Sequence, residues 1–235
     1  MAANISPYQN QLLAALPGEV QDRLFPHLEP VQLPLGQVIY ESDNKPYYVY
    51  FPTDAIISLV QFMENGASAE IAVVGHEGLA GISLFMGGES TTSQAIVQSA
   101  GHGYRLEGHR LKEEFGRHGV FLNLMLRYTQ ALITQMAQTA VCNRHHTIHQ
   151  QLSRWLLLSQ DRLSGDQLVM TQELIANMLG VRREGVTEAA RRLHKLGIIE
   201  YSRGRIRILD RAALERQSCE CYAVVRKETD RLLTY

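Results

Sequence analysis

The sequence predicts an α+β protein in three parts: an antiparallel β-barrel, a long apolar helix, and a unit of short helices closed by a β-hairpin. Three observations support this prediction. Short β-type runs recur about every ten residues in the first half of the chain. Residues 119–143 contain a single charged side chain, Arg127, and basic side chains concentrate in the last third.

The composition is that of a folded soluble protein. Of the 235 residues, 45 % are hydrophobic and 20 % are charged, which excludes a disordered or fibrous chain. No apolar run approaches the roughly 18–20 residues of a membrane helix, and the N-terminus does not resemble a signal peptide. Three cysteines, Cys142, Cys219 and Cys221, are too few for a disulfide framework. We therefore expect a cytoplasmic protein without a membrane partner.

The net charge of −1 conceals two opposite halves. Residues 1–115 contain 5 Lys or Arg against 13 Asp or Glu, a balance of −8. Residues 116–235 contain 18 against 11, a balance of +7. The asymmetry indicates an acidic module joined to a basic one that meets nucleic acid.

The first module, residues 1–116, begins with short helices over Asn4 to Leu28, where three prolines interrupt the pattern. Six predicted strands follow: Gln37–Glu41, Tyr47–Phe51, Ala55–Phe62, Ala69–Val74, Gln94–Ser99 and Gly103–Leu106. The Asn65-Gly66 pair between two of them is a strong hairpin signal. Strands at this spacing predict an antiparallel barrel or sandwich.

Residues 117–145 form the predicted long helix. Its polar side chains fall on one narrow strip, and a broad apolar face opposes them: Leu122, Met125, Leu126, Leu132, Ile133, Met136, Ala137 and Ala140. A helix this apolar must be covered on more than one side. We expect the same helix of a second subunit to supply one cover, through a seam of Leu122, Met125, Leu132 and Met136. A central helix buried within a monomer is the alternative.

Residues 146–235 form the third part. A helix over His149–Leu163 carries an apolar stripe, and Leu168–Met170 is a short strand. Thr171 is a predicted N-cap, Gly180 provides a tight turn, and a second helix spans about Arg183–Leu196. Two strands, Ile198–Tyr201 and Arg205–Leu209, complete a winged helix-turn-helix.

The charge of this unit favours DNA as its partner over a solvated surface helix. Residues 182–207 contain 8 Lys or Arg and 3 Asp or Glu. We expect the start of the second helix to contact base edges and later positions to contact phosphates. The candidate DNA-binding residues are Thr171, Arg182, Arg183, Glu184, Thr187, Glu188, Arg191, Arg192, Arg203 and Arg205.

The order of the three parts resembles the Crp/Fnr superfamily of bacterial transcription regulators. Three segments carry the resemblance: LPLGQVIYESD, HHTIHQQLSRWLLL and TQELIANMLGVRREGVTEAARRLHKLGII. It covers essentially the whole chain and implies a cyclic-nucleotide-binding-like jelly roll as the barrel. It also implies a homodimer that reads a two-fold symmetric double-stranded DNA site, a possible contact with RNA polymerase, and no enzymatic activity.

The second helix departs from the superfamily's pattern at two positions. Arg183 and Glu184 stand where the family's base-reading Arg-Glu pair stands. Thr187 replaces the usual Ser or Gly, and Glu188 falls where many members have a second base-reading arginine. A carboxylate cannot bond guanine as arginine does, so we expect a different half-site.

The barrel departs further. Gly81 stands in the place of the glutamate of cyclic-nucleotide-binding members, and Thr91 or Thr92 in that of the phosphate-binding arginine. Cyclic AMP is therefore not the expected effector. Three alternatives remain open for the barrel: another polar ligand, a cyclic nucleotide in an atypical pocket, or no effector at all. The candidate residues for another polar ligand are Gly87, Gly88, Ser90, Thr91, Thr92 and Ser93.

No cofactor or metal is predicted. A metal- or haem-dependent sensor is the alternative, because His145 and His149 are four apart and His76, His102 or His109 could bind haem. An iron–sulfur cluster needs about four thiolates, and the barrel has none. Cys219 and Cys221, two apart on a helix, should point to different sides. The sequence leaves the effector, the DNA target and the direction of regulation open.

Overall fold

The computed structural model describes residues 5–163, 165, 167–202 and 204–233, and it contains the three predicted parts. The chain opens with a 3₁₀ turn at Pro7–Gln9, helix α1 (Gln11–Ala14), helix α2 (Gly18–Leu24) and a second 3₁₀ turn at Phe25–His27. Asn10 caps α1 with its side chain. These short helices confirm the prediction for this segment.

Seven strands form two antiparallel sheets. One sheet has the order β1 (Glu29–Leu33), β7 (Gly101–Glu107), β3 (Tyr48–Pro52). The other has the order β2 (Val38–Tyr40), β6 (Gln94–Ser99), β4 (Ile56–Phe62), β5 (Ser68–Val74). All six predicted strands are present, with ends shifted by one or two residues. Strand β1 is additional.

The two sheets enclose an apolar core in a jelly-roll arrangement. Its buried members come from both sheets and from the following long helix: Leu33, Tyr40, Ala55, Ile57, Leu59, Ala72, Val74, Ala80, Ala95, Val97 and Leu132. Helix α3 (Ser83–Met86) and helix α4 (Gly108–Phe115) lie at the edges of this domain. The interior of the roll is thus filled by side chains of the chain itself.

Helix α5 (Val120–His145) is 26 residues long and packs its first side on the jelly roll. Tyr128 donates a hydrogen bond from its hydroxyl to the backbone oxygen of Leu79 at 2.7 Å. The Gln135 amide bonds both backbone groups of Val73, at 2.8 and 3.1 Å. Met125 and Leu132 are buried in the cores on this side.

The chain's own C-terminal helix, α10 (Glu220–Leu233), covers a second side of α5. Leu232 and Leu233 join the cluster that contains Phe121 and Leu124. The expected dimer seam must therefore be corrected, because two of its four residues, Met125 and Leu132, already pack within one chain. Apart from Val120 at its start, the apolar residues that α5 leaves exposed lie on a third side: Leu126, Ile133, Ala137, Ala140 and Val141.

The remaining elements form the predicted winged helix-turn-helix. Helix α6 (Ile148–Gln160) starts at a capping box of Thr147 and Gln150. After it come β8 (Gln167–Val169), α7 (Gln172–Leu179), α8 (Arg183–Lys195), β9 (Ile199–Ser202), β10 (Arg205–Ile208) and α9 (Arg211–Gln217). The strands pair antiparallel in the order β8-β10-β9.

The helix-turn-helix unit docks on the outer face of the jelly roll. Ile56, Val60 and Val73 of the second sheet share one buried cluster with Leu152, Trp155 and Leu156 of α6. Within this cluster the Trp155 indole donates to Glu70 Oε1 at 3.0 Å, and Ser58 Oγ donates to Glu70 Oε2 at 2.5 Å. A buried carboxylate therefore joins the two domains.

We predict a pH-dependent stability that depends on Glu70. Burial raises the pKa of Glu70 from 4.5 to about 7, although hydrogen bonds from Ser58 and Trp155 oppose the shift. The folded protein keeps this proton where the unfolded chain has lost it, so stability falls as pH rises from 4.5 towards 7. This group should lower the free energy of unfolding by up to about 3 kcal/mol over that range.

Chemical denaturation across that pH range measures the effect. Glu70→Gln should remove the part of the slope of unfolding free energy against pH that Glu70 contributes. The amide does not titrate, and its oxygen still accepts the hydrogen bond from Trp155. Glu64→Gln is the matched control, since Glu64 is exposed on the β4–β5 turn. An unchanged slope in Glu70→Gln would contradict the assignment.

Candidate nucleic-acid interface

The turn between α7 and α8 is built from local signals. Thr171 Oγ1 accepts a hydrogen bond from the Leu174 backbone N–H at 3.2 Å and caps α7. Gly180 ends α7 with φ of 65°, a conformation that favours glycine. A Cβ at Gly180 would also lie 3.2 Å from the Ala69 Cβ on the jelly roll. The turn is therefore both tight and close to the neighbouring domain.

Helix α8 separates into a buried face and a basic exposed face. Val186, Ala189, Ala190 and Leu193 are buried against the rest of the domain. The exposed side chains are those of Arg182, Arg183, Glu184, Glu188, Arg191, Arg192, His194 and Lys195. The buried positions recur every three to four residues, as expected for one face of a helix.

The basic groups on this face are not neutralised within the chain. Across the described ranges, no carboxylate lies within ion-pair distance of the five Arg and Lys side chains in that set. In addition, no side chain caps the N-terminus of α8. Its first backbone N–H groups and the helix dipole therefore also favour an anion at this end.

Thr187 differs from its exposed neighbours. Its hydroxyl lies 2.7 Å from Gln172 Oε1 on α7 and 3.0 Å from the Arg183 backbone oxygen. The side chain therefore ties α8 to α7, in addition to any contact it makes outside the protein.

The hairpin of β9 and β10 contributes a smaller basic surface. Arg205 is exposed, whereas Arg207 pairs with Glu200 at 2.6 Å. Arg203, predicted to contact phosphate, lies outside the described residues.

The candidate ligand loop of the jelly roll uses most of its polar groups internally. Thr91 Oγ1 and Ser93 Oγ lie 3.1 Å apart, and the Thr92 backbone oxygen accepts from Ser42 Oγ at 2.8 Å. Gly87, Gly88 and Ser90 are exposed.

Glu89 supplies this loop with its own anion. The carboxylate pairs with Lys45 at 2.8 Å and with Lys112 at 2.9 Å, and these bonds lower the pKa of Glu89 to about 2. Both lysine side chains beside the loop therefore already share an anion of the chain itself, which offsets one of their two positive charges.

The histidine pair suggested for a metal does not come together. His145 is the last residue of α5 and is exposed, whereas His149 lies on α6 and its Nε2 is 2.8 Å from Gln217 Oε1. Of the haem candidates, His102 contacts Asp54 at 3.2 Å and His109 contacts Glu107 at 3.4 Å.

Sequence reasoning also missed a cluster. Cys219 and Cys221 do not point apart, because Cys219 precedes α10 and both sulfurs turn towards Cys142 and His146. The spacing of Cys142 and His146, four apart at a helix end, was the available signal.

Comparisons with known proteins agree with this architecture. Residues 150–217 match the model of the Crp-like helix-turn-helix domain. None of the curated proteins matches the sequence. No helix in the described part of the chain has both the length and the hydropathy needed to cross a membrane.

Several solved structures share the fold. FixK2 from Bradyrhizobium japonicum has a TM-score of 0.70 at 17 % identity, covering 82 % of this chain and 98 % of its own. TTHB099, a transcriptional regulator of the CRP family from Thermus thermophilus, has a TM-score of 0.66 at 18 % identity, covering 80 % of this chain and 96 % of its own. The c-di-GMP responsive global regulator CLP from Xanthomonas campestris has a TM-score of 0.61 at 13 % identity, covering 82 % of this chain and 99 % of its own.

The chain combines a jelly roll, a long helix and a winged helix-turn-helix, in this order. Residues 150–217 thus form a Crp-like helix-turn-helix domain, and the chain as a whole shares the fold of these solved structures.

Proposed function

We propose that the protein is a homodimeric, non-enzymatic regulator that reads a two-fold symmetric DNA site in the cytoplasm. Residues 1–116 form its sensor-like domain, 117–145 its dimerisation helix and 146–235 its DNA-binding part. The observation that carries the proposal is the exposed basic face of α8, whose Arg and Lys side chains form no ion pair with any described residue, within the segment that matches the Crp-like domain. RNA polymerase is a further proposed partner.

Base reading is assigned to the first turn of α8, where Arg183 and Glu184 are exposed. An arginine bonds guanine O6 and N7, and a glutamate accepts from a cytosine amino group. Arg191, Arg192 and Lys195, further along the helix, are assigned to phosphates, together with Arg205 on the hairpin. Arg182, Glu188, Thr171 and Arg203 complete the proposed contact set.

We predict that Arg183→Ala will weaken binding to a selected site by about 1–3 kcal/mol, roughly 5- to 150-fold, and relax sequence preference. Binding to random DNA should change little, because base contacts carry the sequence information. Fluorescence anisotropy measures both affinities, on a duplex that the wild-type protein selects from a random pool and on a scrambled duplex, across a salt series.

Arg205→Ala is the matched control, because it also removes one exposed arginine. It should weaken binding to both duplexes similarly and reduce the slope of log affinity against log salt concentration by about 1. Equal losses on both duplexes for Arg183→Ala would refute its base-reading role. Failure of the wild-type protein to select any duplex at low salt would refute DNA recognition itself.

Dimerisation is assigned to the exposed side of α5. Leu126, Ile133 and Ala140 recur every seven residues, with Ala137 between the last two, a spacing typical of a helix–helix seam. The alanines allow close approach of a second helix, and two-fold symmetry would present α8 of each subunit to one half-site.

The jelly roll is proposed to act without cyclic AMP. Two observations support this: apolar side chains fill the space between the sheets, and Lys45 and Lys112 beside the loop are already paired with Glu89. The exposed Gly87, Gly88 and Ser90, with Thr91, Thr92 and Ser93, remain the proposed contact point for any other polar effector.

A further inference from the structure

Three cysteines and one histidine meet where α5, α6 and α10 converge. Cys142 lies in the last turn of α5, His146 follows that helix, and Cys219 and Cys221 flank the start of α10. One ligand atom from each residue lies within 4.8 Å of all the others. Each cysteine is buried, and His146 is 14 % exposed.

The distances match those of a tetrahedral metal site. Cys142 Sγ lies 3.6 Å from Cys219 Sγ, and Cys221 Sγ lies 3.6 Å from His146 Nδ1. A zinc ion with Zn–S bonds of about 2.3 Å holds its sulfur ligands about 3.8 Å apart. Little movement of the four side chains is therefore needed to admit an ion.

Glu220 gives the histidine a defined orientation. Its Oε1 lies 3.3 Å from His146 Nε2, so the other ring nitrogen, Nδ1, faces the sulfurs. Zinc-binding histidines commonly donate their second N–H to a carboxylate in this way, which fixes the ring and strengthens the ligand.

Arg154 supplies a compensating charge. This residue is 4 % exposed, and its Nη2 donates to Thr139 Oγ1 at 2.6 Å, while its Nε has no hydrogen-bond partner among the described residues. Its positive charge acts on both Cys142 and Cys221. The same charge also acts on Glu70, and three thiolates around one divalent ion would place a further net charge of −1 near this buried cation.

We propose that Cys142, His146, Cys219 and Cys221 bind one zinc ion. Binding removes the protons of three thiols and releases them to solvent, without any change of oxidation state. The ion joins the start of α10 to the end of α5, next to the connection between α5 and the helix-turn-helix unit. Metal loss should therefore loosen the start of α10, whereas Leu232 and Leu233 keep the end of this helix packed on α5.

Metal analysis of the reduced full-length protein is the first test. We expect one zinc ion per chain after purification without chelator. After its removal, Co²⁺ should bind with one-to-one stoichiometry and give the sulfur-to-cobalt charge-transfer and d–d bands of a tetrahedral thiolate site, and zinc should abolish them. Reduced wild-type protein without zinc and without these bands would overturn the proposal.

Two substitutions identify the ligands. His146→Ala and Cys221→Ser should each weaken Co²⁺ binding at least about 10-fold and alter the bands. His145→Ala is the matched control, because it removes an exposed neighbouring histidine and should leave both unchanged. Circular dichroism checks the fold of each variant.

Unchanged cobalt affinity in both ligand variants would exclude the site. Oxidation of Cys142 and Cys219 to a disulfide is the competing chemistry, because their sulfur atoms lie 3.6 Å apart. If the purified protein contains this disulfide and its reduction does not restore cobalt binding, the two cysteines form a redox pair and the metal proposal is wrong.

Discussion

Ile133→Asp is expected to make the protein monomeric and to weaken its binding to a two-fold symmetric DNA site by at least about 100-fold. Ile133 is 56 % exposed near the middle of the apolar stripe of α5. An aspartate there would be buried against its symmetry mate without a partner, which opposes association strongly. A monomer engages one half-site and loses the gain of linked binding.

Sedimentation velocity and anisotropy on full-site and half-site duplexes measure the two effects. Met63→Asp is the control, because Met63 is 63 % exposed on the β4–β5 turn and the substitution also replaces an exposed apolar side chain with aspartate. It should leave both the mass and the affinity unchanged. If Ile133→Asp remains a dimer, the exposed stripe is not the interface, whatever its affinity for DNA.

Helix α5 illustrates what periodicity can and cannot predict. The apolar character and the extent of the helix follow from its sequence, because both are local properties. The partner of each face does not. Met125 and Leu132 pack within the chain on the jelly-roll side, and α10, about 100 residues further along, covers a second side, so that only the side with Leu126 and Ile133 stays exposed.

The helix-turn-helix was more accessible to prediction. Its boundaries depend on neighbouring residues, such as the cap at Thr171 and the turn at Gly180, and the faces of α8 follow from helix geometry. Strand β1 was missed because Pro30 and exposed polar residues weaken its strand pattern.

Contacts between distant segments had no sequence signal. Glu70 meets Trp155, and Cys142 meets Cys219, across separations of 85 and 77 residues. Such pairs depend on how complete domains dock. A single sequence gives the chemistry of each residue but no indication of which residues will meet.

Trp155→Ala should cause the largest loss of stability, about 3–5 kcal/mol. The indole is 2 % exposed in the cluster that joins α6 to the outer face of the jelly roll. Its removal leaves a large cavity and takes the N–H donor from the buried Glu70 carboxylate. Calorimetry should then show two unfolding transitions, because the sheet and the helix-turn-helix unit lose their main shared contact.

Trp155→Phe separates packing from hydrogen bonding. Phenylalanine keeps most of the apolar contact but lacks the N–H, so the variant should lose about 1–3 kcal/mol and unfold in one transition. The lost bond otherwise lowers the pKa of Glu70, so that pKa should rise further, and the loss of stability with rising pH should continue to a higher pH than in the wild-type protein. A loss below about 1 kcal/mol for Trp155→Ala would contradict the docking role. So small a loss of stability would mean that the site around the indole is loosely packed.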